Sequence, residues 1–363
     1  MIPQGRAGSL RKPTAKSVAE LADVSTTTVS RVLNGHNDSI SVETQKRVFA
    51  AATRLRYRPS SLAVALRRGY TRTVGLIVPD ISDAYFHQIA RGLEDAAQKA
   101  GYTVILLNTD RIAEKERAGV QVLYDQNVDA IVFAGGGVDD DAHLTDLPWE
   151  HMHVVTVGPH RLPFPSIRVD DVATIEMAVD HLFDQGCTRI LCIAGQSNWL
   201  INQERAQGYS RALAKHRVSY DPTLVVTASF TVESGYESML SALDSGVRFD
   251  GVVAFNDNTA IGAMKALAEH GIDVPRDVAV VGCDDIAIAS LVSPRLSSVS
   301  FPQYEFGRAA MQQVLELVAG RPVDAVTYFP FHLEARESSL RGTTPLTTQS
   351  KKSQTNRRKG AQL

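Results

Sequence analysis

The residues of this sequence best suited to chemistry lie in a short stretch near its amino end, LADVSTTTVSRVLNG, residues 21–35. Its apolar residues repeat at the spacing of one buried helix face, and five hydroxyl side chains lie between them. The exposed face would carry Thr26, Thr27, Ser30, Arg31 and Asn34. Short hydroxyls let a helix approach a duplex closely, and an arginine can bind a guanine edge or a phosphate. Because threonine is a poor helix former, we interpret this face as a binding surface.

Three short helical patterns at the amino end would position this surface. The first is TAKSVAELA, with Val18, Leu21 and Ala22 on one face. The second begins after Ser25 and the third after Ser41, both of which are good N-cap residues. The link between the first two is short enough for a helix-turn-helix, whose second helix enters the major groove of DNA. The alternative is an amphipathic surface helix in a small bundle.

Charge is unevenly distributed along the chain, although its formal net charge is only -2. Residues 1–70 hold 12 basic and 4 acidic residues, and residues 341–363 hold 6 basic residues and no acidic one. Residues 71–340 carry a net charge of -16. A basic head on an acidic body favours contact with a polyanion through the head. Together with the tight link and the three-helix pattern, this charge favours DNA binding over the surface-helix alternative.

From Thr73 onward, short apolar runs alternate with amphipathic helical segments. The runs are TVGLIVPD, YTVILLNT, VDAIVFAGGG, HVVTVG, RILCIAG, TLVVTA, DGVVAFND and VAVVGCDD. Nearly continuous apolar strands between helices indicate parallel sheets covered on both faces, and eight of them suit two doubly wound α/β lobes. In such sheets ligands bind beyond the carboxyl ends of the strands, which here are polar, acidic or glycine-rich. We therefore predict a crevice for a small hydroxylated molecule.

Several functional classes find no support in the sequence. No apolar run approaches the roughly 20 residues that span a bilayer, and the amino end lacks the apolar core of a signal peptide, so we expect a cytoplasmic protein. The three cysteines match neither a disulfide framework nor a metal motif. The AGGG of residues 134–137 lacks the spacing of a dinucleotide fingerprint, and no G-x-S-x-G motif is present. We expect no metal, no cofactor and no enzymatic activity.

Longer motifs carry a resemblance to a known family. SVAELADVSTTTVSRVLNG, SVETQKRVFAAATRLRYRPSSLAVALRRGYTRTVGLIVPD, FTVESGY, NDNTAIGAMKAL, VAVVGCDD and LEARESS occur in order over about residues 13–340. In this the sequence resembles the lactose/galactose repressor family of bacterial transcriptional regulators. The resemblance implies a helix-turn-helix head, a hinge helix and a two-lobed effector-binding core shaped like a periplasmic sugar-binding protein.

The resemblance also implies roles in DNA binding for the residues of the second helix. Thr26, Thr27 and Arg31 match base-reading positions of the family. The positions that match phosphate contacts are Ser25, Thr28, Ser30 and Asn34. Two departures occur: Asp23 stands where the family has Gly, and the loop after Asn34 is one residue longer. Since aspartate tolerates the left-handed conformation, we expect the turn to persist, and we leave open whether His36 or Asn37 contacts phosphate.

The segment PSSLAVALRRG, from Pro59 to Gly69, matches the hinge helix of the family. The resemblance implies that two copies pair in the minor groove, with Leu62 and Ala63 toward the partner and Leu66 inserted at a central base step. The alternative is a linker helix that packs on its own core. Val64 departs from a position that is commonly polar or basic.

Other positions match the effector pocket of the family. The matching residues are Asp80, Asp83, Phe86, Arg205, Phe230, Asn256, Asp257 and Asp284. Carboxylates and a guanidinium can bind vicinal hydroxyls, and phenylalanine faces suit the C–H side of a sugar ring. As alternatives, Asp257 and Asp284 could cap helices and Arg205 could pair within its lobe. For Trp199 and Phe301 a pocket role and a structural role are equally open.

The combined interpretation divides the chain into five parts. They are a disordered arm 1–13, a DNA-binding domain 14–58, a hinge 59–70, an effector-binding core 71–341 (lobes at about 72–169 with 301–327, and 170–300 with 328–341), and a disordered basic tail 342–363. We predict a homodimeric repressor of carbohydrate-utilisation genes that binds a palindromic operator, with induction or corepression left open. The rivals are a solute-binding protein, which has no use for the head, and an α/β enzyme, whose acid/base pair we cannot find.

Overall fold

The structure is a computed structural model that describes residues 13–35, 37, 39–57, 70–135, 137–149 and 152–341. The described parts contain ten α-helices and twelve strands. The helices are α1 Ala15–Ala22, α2 Thr26–Leu33, α3 Val42–Arg54, α4 Ala84–Lys99, α5 Ala113–Asp125, α6 Asp171–Asp184, α7 Leu200–Lys215, α8 Val232–Asp244, α9 Asp257–Glu269 and α10 Gln303–Val318. The strands are β1 Thr73–Val78, β2 Thr103–Asn108, β3 Ala130–Ala134, β4 His153–Val157, β5 Ser166–Arg168, β6 Ile190–Ala194, β7 Val225–Thr227, β8 Gly251–Ala254, β9 Ala279–Asp284, β10 Ser297–Ser300, β11 Val326–Tyr328 and β12 His332–Glu334.

The head consists of α1, α2 and α3, which begin where the hydroxyl residues predict. The side chains of Thr14, Ser25 and Ser41 each accept a hydrogen bond from a backbone N–H in the first turn of the helix that follows. Both predicted N-caps, Ser25 and Ser41, are therefore confirmed. The three helices share a small core of Val18, Ala19, Ala22, Val29, Val32, Val48, Ala51 and Ala52.

At the end of α1, the structure confirms the expectation for Asp23 in the turn and contradicts the one for Leu21 in the helix. Asp23 is left-handed, at φ 51° and ψ 57°, as expected for an aspartate in a position that suits glycine. Leu21, predicted on the buried face of α1, is instead 42% exposed. The buried stripe of α1 is formed by Val18, Ala19 and Ala22. Leu21 lies at the edge of this stripe, so its side chain faces solvent.

Two predicted elements fall outside the described residues. They are the hinge segment, with Leu62, Ala63 and Leu66, and most of the two terminal arms. His36, one of the two alternatives for a phosphate contact, also lies outside them, whereas Asn37 is described and half-buried.

The core contains two six-stranded sheets, which confirms the predicted α/β class with two doubly wound lobes. Their strand orders are β11-β5-β4-β3-β1-β2 and β12-β10-β9-β8-β6-β7. The pairings from β11 to β1 and from β7 to β10 are parallel, and β12 runs antiparallel to β10. All eight predicted strands are present. Helices α4, α5 and α10 form the first lobe together with the first sheet. Helices α6 to α9 form the second lobe together with the second sheet.

The chain passes between the lobes three times, after β5, after β10 and after β11. Both lobes contain pairs of helices in close contact through glycines. A Cβ on Gly92 of α4 would lie 1.9 Å from the carbonyl oxygen of Tyr304 in α10, and a Cβ on Gly262 of α9 would lie 2.0 Å from that of Val232 in α8. No helix among the described residues is both long and apolar enough to span a membrane.

Candidate functional site

Helix α2 presents the predicted binding face. Val29 and Val32 are each 1% exposed and hold the helix to the head core. Thr26, Thr27 and Arg31, the predicted base readers, are all exposed. The side chains that could reach base edges therefore lie opposite the side that packs.

The predicted phosphate contacts also have partners within the head. The Ser25 hydroxyl accepts the Thr28 N–H at 3.0 Å, and the Asn34 side-chain amide donates to the Ser30 carbonyl oxygen at 2.6 Å. These bonds close the two ends of α2. Arg31 donates to the hydroxyl of Ser39 at 2.9 Å, so the loop after α2 is tied to the exposed face of the helix.

A cavity of about 30 Å³ lies in the crevice between the two lobes of the core, room for one or two waters. Thirteen residues line it: Asp83, Tyr85, Phe86, Arg111, Gly135, Val157, Gly158, Pro159, Ile201, Arg205, Phe230, Asn256 and Asp284. Six of the eight predicted pocket residues are among them, and Asp80 and Asp257 are not.

Asp80 and Asp257 have other hydrogen-bond partners. Asp80 is exposed, and its carboxylate accepts the backbone N–H and the hydroxyl of Ser82 at 2.8 and 2.7 Å. Asp257 is fully buried, and its carboxylate accepts the Ser298 hydroxyl at 2.6 Å and the Ile286 N–H at 2.8 Å. Burial raises the pKa of Asp257 to about 7. Asp257 therefore holds the loop that follows β9, whereas the side chain that caps α9 is that of Asn256.

Arg205 and Asp284 form the charged floor of the cavity. Arg205 Nε lies 2.9 Å from Asp171 Oδ1, and one of its terminal nitrogens lies 3.6 Å from Asp284 Oδ1. A further N–H of Arg205 donates to the Phe255 carbonyl oxygen. Burial raises the pKa of Asp284 well above its usual range, and Arg205 opposes this shift. Arg205 thus lines the cavity and also pairs with carboxylates of its own lobe, so both alternatives left open by the sequence hold for it.

Two polar side chains from helix N-termini complete the wall. Asp83 caps α4 by accepting the Tyr85 N–H at 3.0 Å, and burial raises its pKa. Asn256 caps α9 by accepting the Thr259 N–H at 3.0 Å, and its amide donates to the carbonyl oxygen of Phe230 at 3.0 Å. Since Phe230 has a positive φ of 62°, Asn256 helps to hold it in a conformation that few side chains adopt.

Arg111 is a cavity residue that the sequence analysis missed. Its guanidinium carbon lies 4.7 Å from the ring centre of Trp199, 5.6 Å from that of Phe230 and 5.8 Å from that of Phe86. It donates to the carbonyl oxygen of Gly135 at 2.8 Å, and burial lowers its pKa to about 10. Arg111 follows the carboxyl end of β2 by three residues, so the rule that ligands bind at strand ends was the signal available.

Trp199 and Phe301, whose roles the sequence left open, lie behind the cavity wall. Trp199 packs edge-on against Phe230 at 5.2 Å between ring centres, and it is not among the lining residues. Phe301 is 3% exposed and stacks on Phe306 of α10. Both therefore support the site from the core.

Hydrogen bonds between the lobes flank the cavity. Asn258 Nδ2 donates to Asp83 Oδ1 at 3.4 Å, and Asn198 Nδ2 donates to Asp139 Oδ1 at 2.9 Å. The Leu200 N–H donates to the carbonyl oxygen of Gly137 at 2.9 Å. A change in the angle between the lobes would therefore alter bonds next to the cavity.

Comparisons with known proteins agree with this architecture. Residues 14–60 match a model of bacterial regulatory proteins of the lacI family, and residues 179–339 match a periplasmic binding protein-like domain. The HTH-type transcriptional regulator RegA of Clostridium saccharobutylicum is 33% identical over 329 residues, which cover 90% of this chain and 98% of that protein. The chain belongs to the lacI family. This lacI-family chain is a DNA-binding transcriptional regulator, and the resemblance drawn from its motifs is confirmed.

Solved structures extend the likeness of this lacI-family regulator to both of its parts. The lac repressor dimer bound to operator and the anti-inducer ONPF has a TM-score of 0.78 and 25% identity, and the match covers 91% of this chain and all of that one. A complex of the transcriptional regulator CelR with cellobiose has a TM-score of 0.68 and 30% identity, covering 90% of this chain and 99% of that one.

Proposed function

We propose that this regulator is a repressor of carbohydrate-utilisation genes that binds a palindromic operator as a homodimer. Its operator affinity is set by a small effector, a sugar or sugar derivative, that binds in the crevice between the lobes. The lobes must move apart to admit it, because the cavity of about 30 Å³ has room only for water. One observation carries the effector class: the cavity combines the carboxylates of Asp83 and Asp284 with the ring faces of Phe86 and Phe230. Carboxylates accept hydrogen bonds from hydroxyls, and flat rings suit the C–H face of a sugar.

The names of similar proteins support the same class. A catabolite control protein A from Priestia megaterium is 32% identical over 90% of this chain, and the CelR structure holds cellobiose. The effector contacts of this chain are Asp83, Phe86, Arg205, Phe230, Asn256 and Asp284, with Arg111 and Tyr85 as additions. Asp257 and Asp80 support neighbouring backbone instead.

On the DNA side, Thr26, Thr27 and Arg31 read bases, and their exposure supports this role. The phosphate contacts are Ser25, Thr28, Ser30 and Asn34. The hinge residues Leu62 and Ala63 pair with the partner copy, and Leu66 wedges into the minor groove. The protein acts in the cytoplasm and catalyses no reaction.

A selection experiment tests operator binding. The full chain is incubated with duplexes that contain two randomised half-sites, and the bound fraction is sequenced over several rounds. We expect a palindromic consensus whose affinity falls steeply with salt, because the basic head displaces counterions from the phosphates. Leu66→Ala should weaken binding to the selected duplex severely. Recovery of no palindromic consensus would reject the proposed operator.

A thermal-shift screen tests the effector class. The panel contains cellobiose, ribose, other mono- and disaccharides, sugar phosphates and nucleosides. A ligand at 100 times its dissociation constant adds about 2.7 kcal/mol of stability, which such a screen detects easily. Stabilisation by a saccharide that is lost in Asp284→Asn would support the proposal, and stabilisation by no sugar or sugar derivative of the panel would reject it.

A further inference from the structure

One carboxylate, that of Asp129, fixes the chain just before it enters β1. Asp129 accepts the Thr71 N–H at 2.6 Å, the Thr71 hydroxyl at 2.8 Å and the Arg72 N–H at 2.8 Å. The Asp129 N–H in turn donates to the carbonyl oxygen of Thr73 at 2.8 Å. We call this arrangement the first clasp; it joins the amino ends of β1 and β3, which are paired in parallel.

The second lobe contains an arrangement of the same residue types. Asp250 accepts the Thr188 N–H at 2.9 Å, the Thr188 hydroxyl at 3.0 Å and the Arg189 N–H at 2.8 Å. This second clasp lies at the amino ends of β6 and β8, which are also paired in parallel. The second clasp therefore shows what such a carboxylate does as scaffolding alone: it holds two neighbouring strand starts together.

The first clasp holds strained backbone that the second does not. Arg72 and Asn127 are both left-handed, at φ 54° and 52°, whereas Arg189 is not among the residues with positive φ. The hydroxyl of Thr71 is shared with the carbonyl oxygen of Asn127 at 3.0 Å, and the Arg72 guanidinium lies over the ring of Tyr70. Non-glycine residues persist in this conformation only where their surroundings determine it, so the first clasp imposes a definite turn on residues 70–72.

The turn at residues 70–72 lies between the amino-terminal head and the core in the sequence. Residues 70–72 include the last residue of the predicted hinge and the two that follow it, and the chain from the amino-terminal head to β1 runs through them. We propose that Asp129 is a positioning residue for operator binding. By fixing where the chain enters β1 and in which direction, it sets the point from which each copy of a dimer holds its head. The inference rests on the proposed function, since it requires a dimer that binds two half-sites.

The two clasps provide matched variants. Asp129→Asn places an amide where two backbone N–H groups need acceptors, and Asp250→Asn makes the same change in the second lobe. Thr71→Val and Thr188→Val form a milder pair, in which each variant removes one hydroxyl and keeps the β-branch. The full chain of each variant is titrated with the duplex selected by the wild type and with a scrambled duplex of equal length. Stoichiometric titration corrects each value for the active fraction.

We expect Asp129→Asn and Thr71→Val to lower affinity for the selected duplex about tenfold while affinity for the scrambled duplex stays unchanged. The second-lobe variants should lose thermal stability and keep the ratio of the two affinities. The inference is overturned if the first-lobe variants keep that ratio, or if both pairs lower it equally. Should Asp129→Asn fail to fold, the threonine pair decides. Failure of the wild type to select any duplex would reject the proposed function, which is a separate outcome.

Discussion

The guanidinium of Arg111, from the first lobe, lies over the indole of Trp199, from the second lobe, at 4.7 Å from its ring centre. The contact crosses the crevice next to the cavity. In the described part of the chain Arg111 forms no ion pair with a carboxylate, and its charge is stabilised by three ring faces and the carbonyl oxygen of Gly135. The cavity thus contains two arginines with different partners, because Arg205 is paired with Asp171 and Asp284.

This difference predicts effects of unequal size for two similar substitutions. Arg205→Met leaves two buried carboxylates without their partner and should lower the free energy of unfolding by about 3–5 kcal/mol. Arg111→Met replaces an unpaired buried charge with an apolar side chain of similar length and should change it by less than about 1 kcal/mol. Urea unfolding followed by circular dichroism measures both. Equal losses in the two variants would contradict the different pairing of the two arginines.

The same contact makes Trp199 a reporter of the crevice. The chain has two tryptophans, so Trp149→Phe leaves Trp199 as the only one. We expect its emission to change when the sugar found in the thermal-shift screen is added, because a ligand in the cavity alters the contacts of Arg111 and Phe230. The matched control is Trp199→Phe. It retains Trp149, which donates to the Leu144 carbonyl oxygen at 2.8 Å and should not respond. A response from Trp149 alone would place the ligand elsewhere.

Asp257 predicts a pH dependence of stability. Burial raises its pKa from 3.8 to about 7 in the folded chain, so folding favours the protonated form. The stabilisation from this group is complete below about pH 4 and is lost as the pH rises toward and through about 7. Wild type should therefore lose stability relative to Asp257→Asn between pH 4 and pH 8. Urea midpoints across this range measure the difference.

Asp244→Asn, at the exposed end of α8, controls for the change in net charge. A constant difference between wild type and Asp257→Asn at every pH would show that Asp257 titrates in the folded chain as it does in the unfolded one.

Asp23 predicts a head that can be stabilised by one substitution. A non-glycine residue in the left-handed region costs roughly 1–2 kcal/mol, and less for aspartate, so Asp23→Gly should stabilise the head by up to about 1 kcal/mol. Asp23→Val should destabilise it, because a β-branched side chain crowds this conformation most. Hydrogen exchange of the Val29 and Val32 amides in the full chain reports head stability directly. Faster exchange in Asp23→Gly than in wild type would contradict the conformation at residue 23.

Sequence patterns predicted the two sheets and the sheet edge at which the cavity lies for one physical reason, and the family resemblance supplied six of the thirteen lining residues. The carboxyl ends of parallel strands meet at one edge of a sheet, so Asp284 at the end of β9 and Asn256 after β8 had to lie near each other. The helix starts after Ser25 and Ser41 could also be predicted from the sequence, since a capping hydroxyl accepts a hydrogen bond from a backbone N–H only three residues away.

The direction in which each side chain points at these strand ends could not be predicted from the sequence. Asp257 and Asp284 lie at the carboxyl ends of neighbouring strands with similar local sequence, yet only Asp284 reaches the cavity. Asp257 turns toward Ser298 and Ile286, which lie 41 and 29 residues away in the sequence. Arg111 was missed because its long side chain extends to rings of the other lobe, and no local pattern encodes that reach.

The three passages of the chain between the lobes have a consequence for biosynthesis. The first lobe requires α10 and β11, which follow almost the whole of the second lobe in the sequence, and the second lobe requires β12. A ribosome therefore releases the head first. The first sheet cannot acquire its last strand until residue 328 has emerged, and the second sheet cannot do so until residue 334 has. Since domains usually fold as units in order of synthesis, the nascent core must wait with an open sheet edge while the head can already be complete.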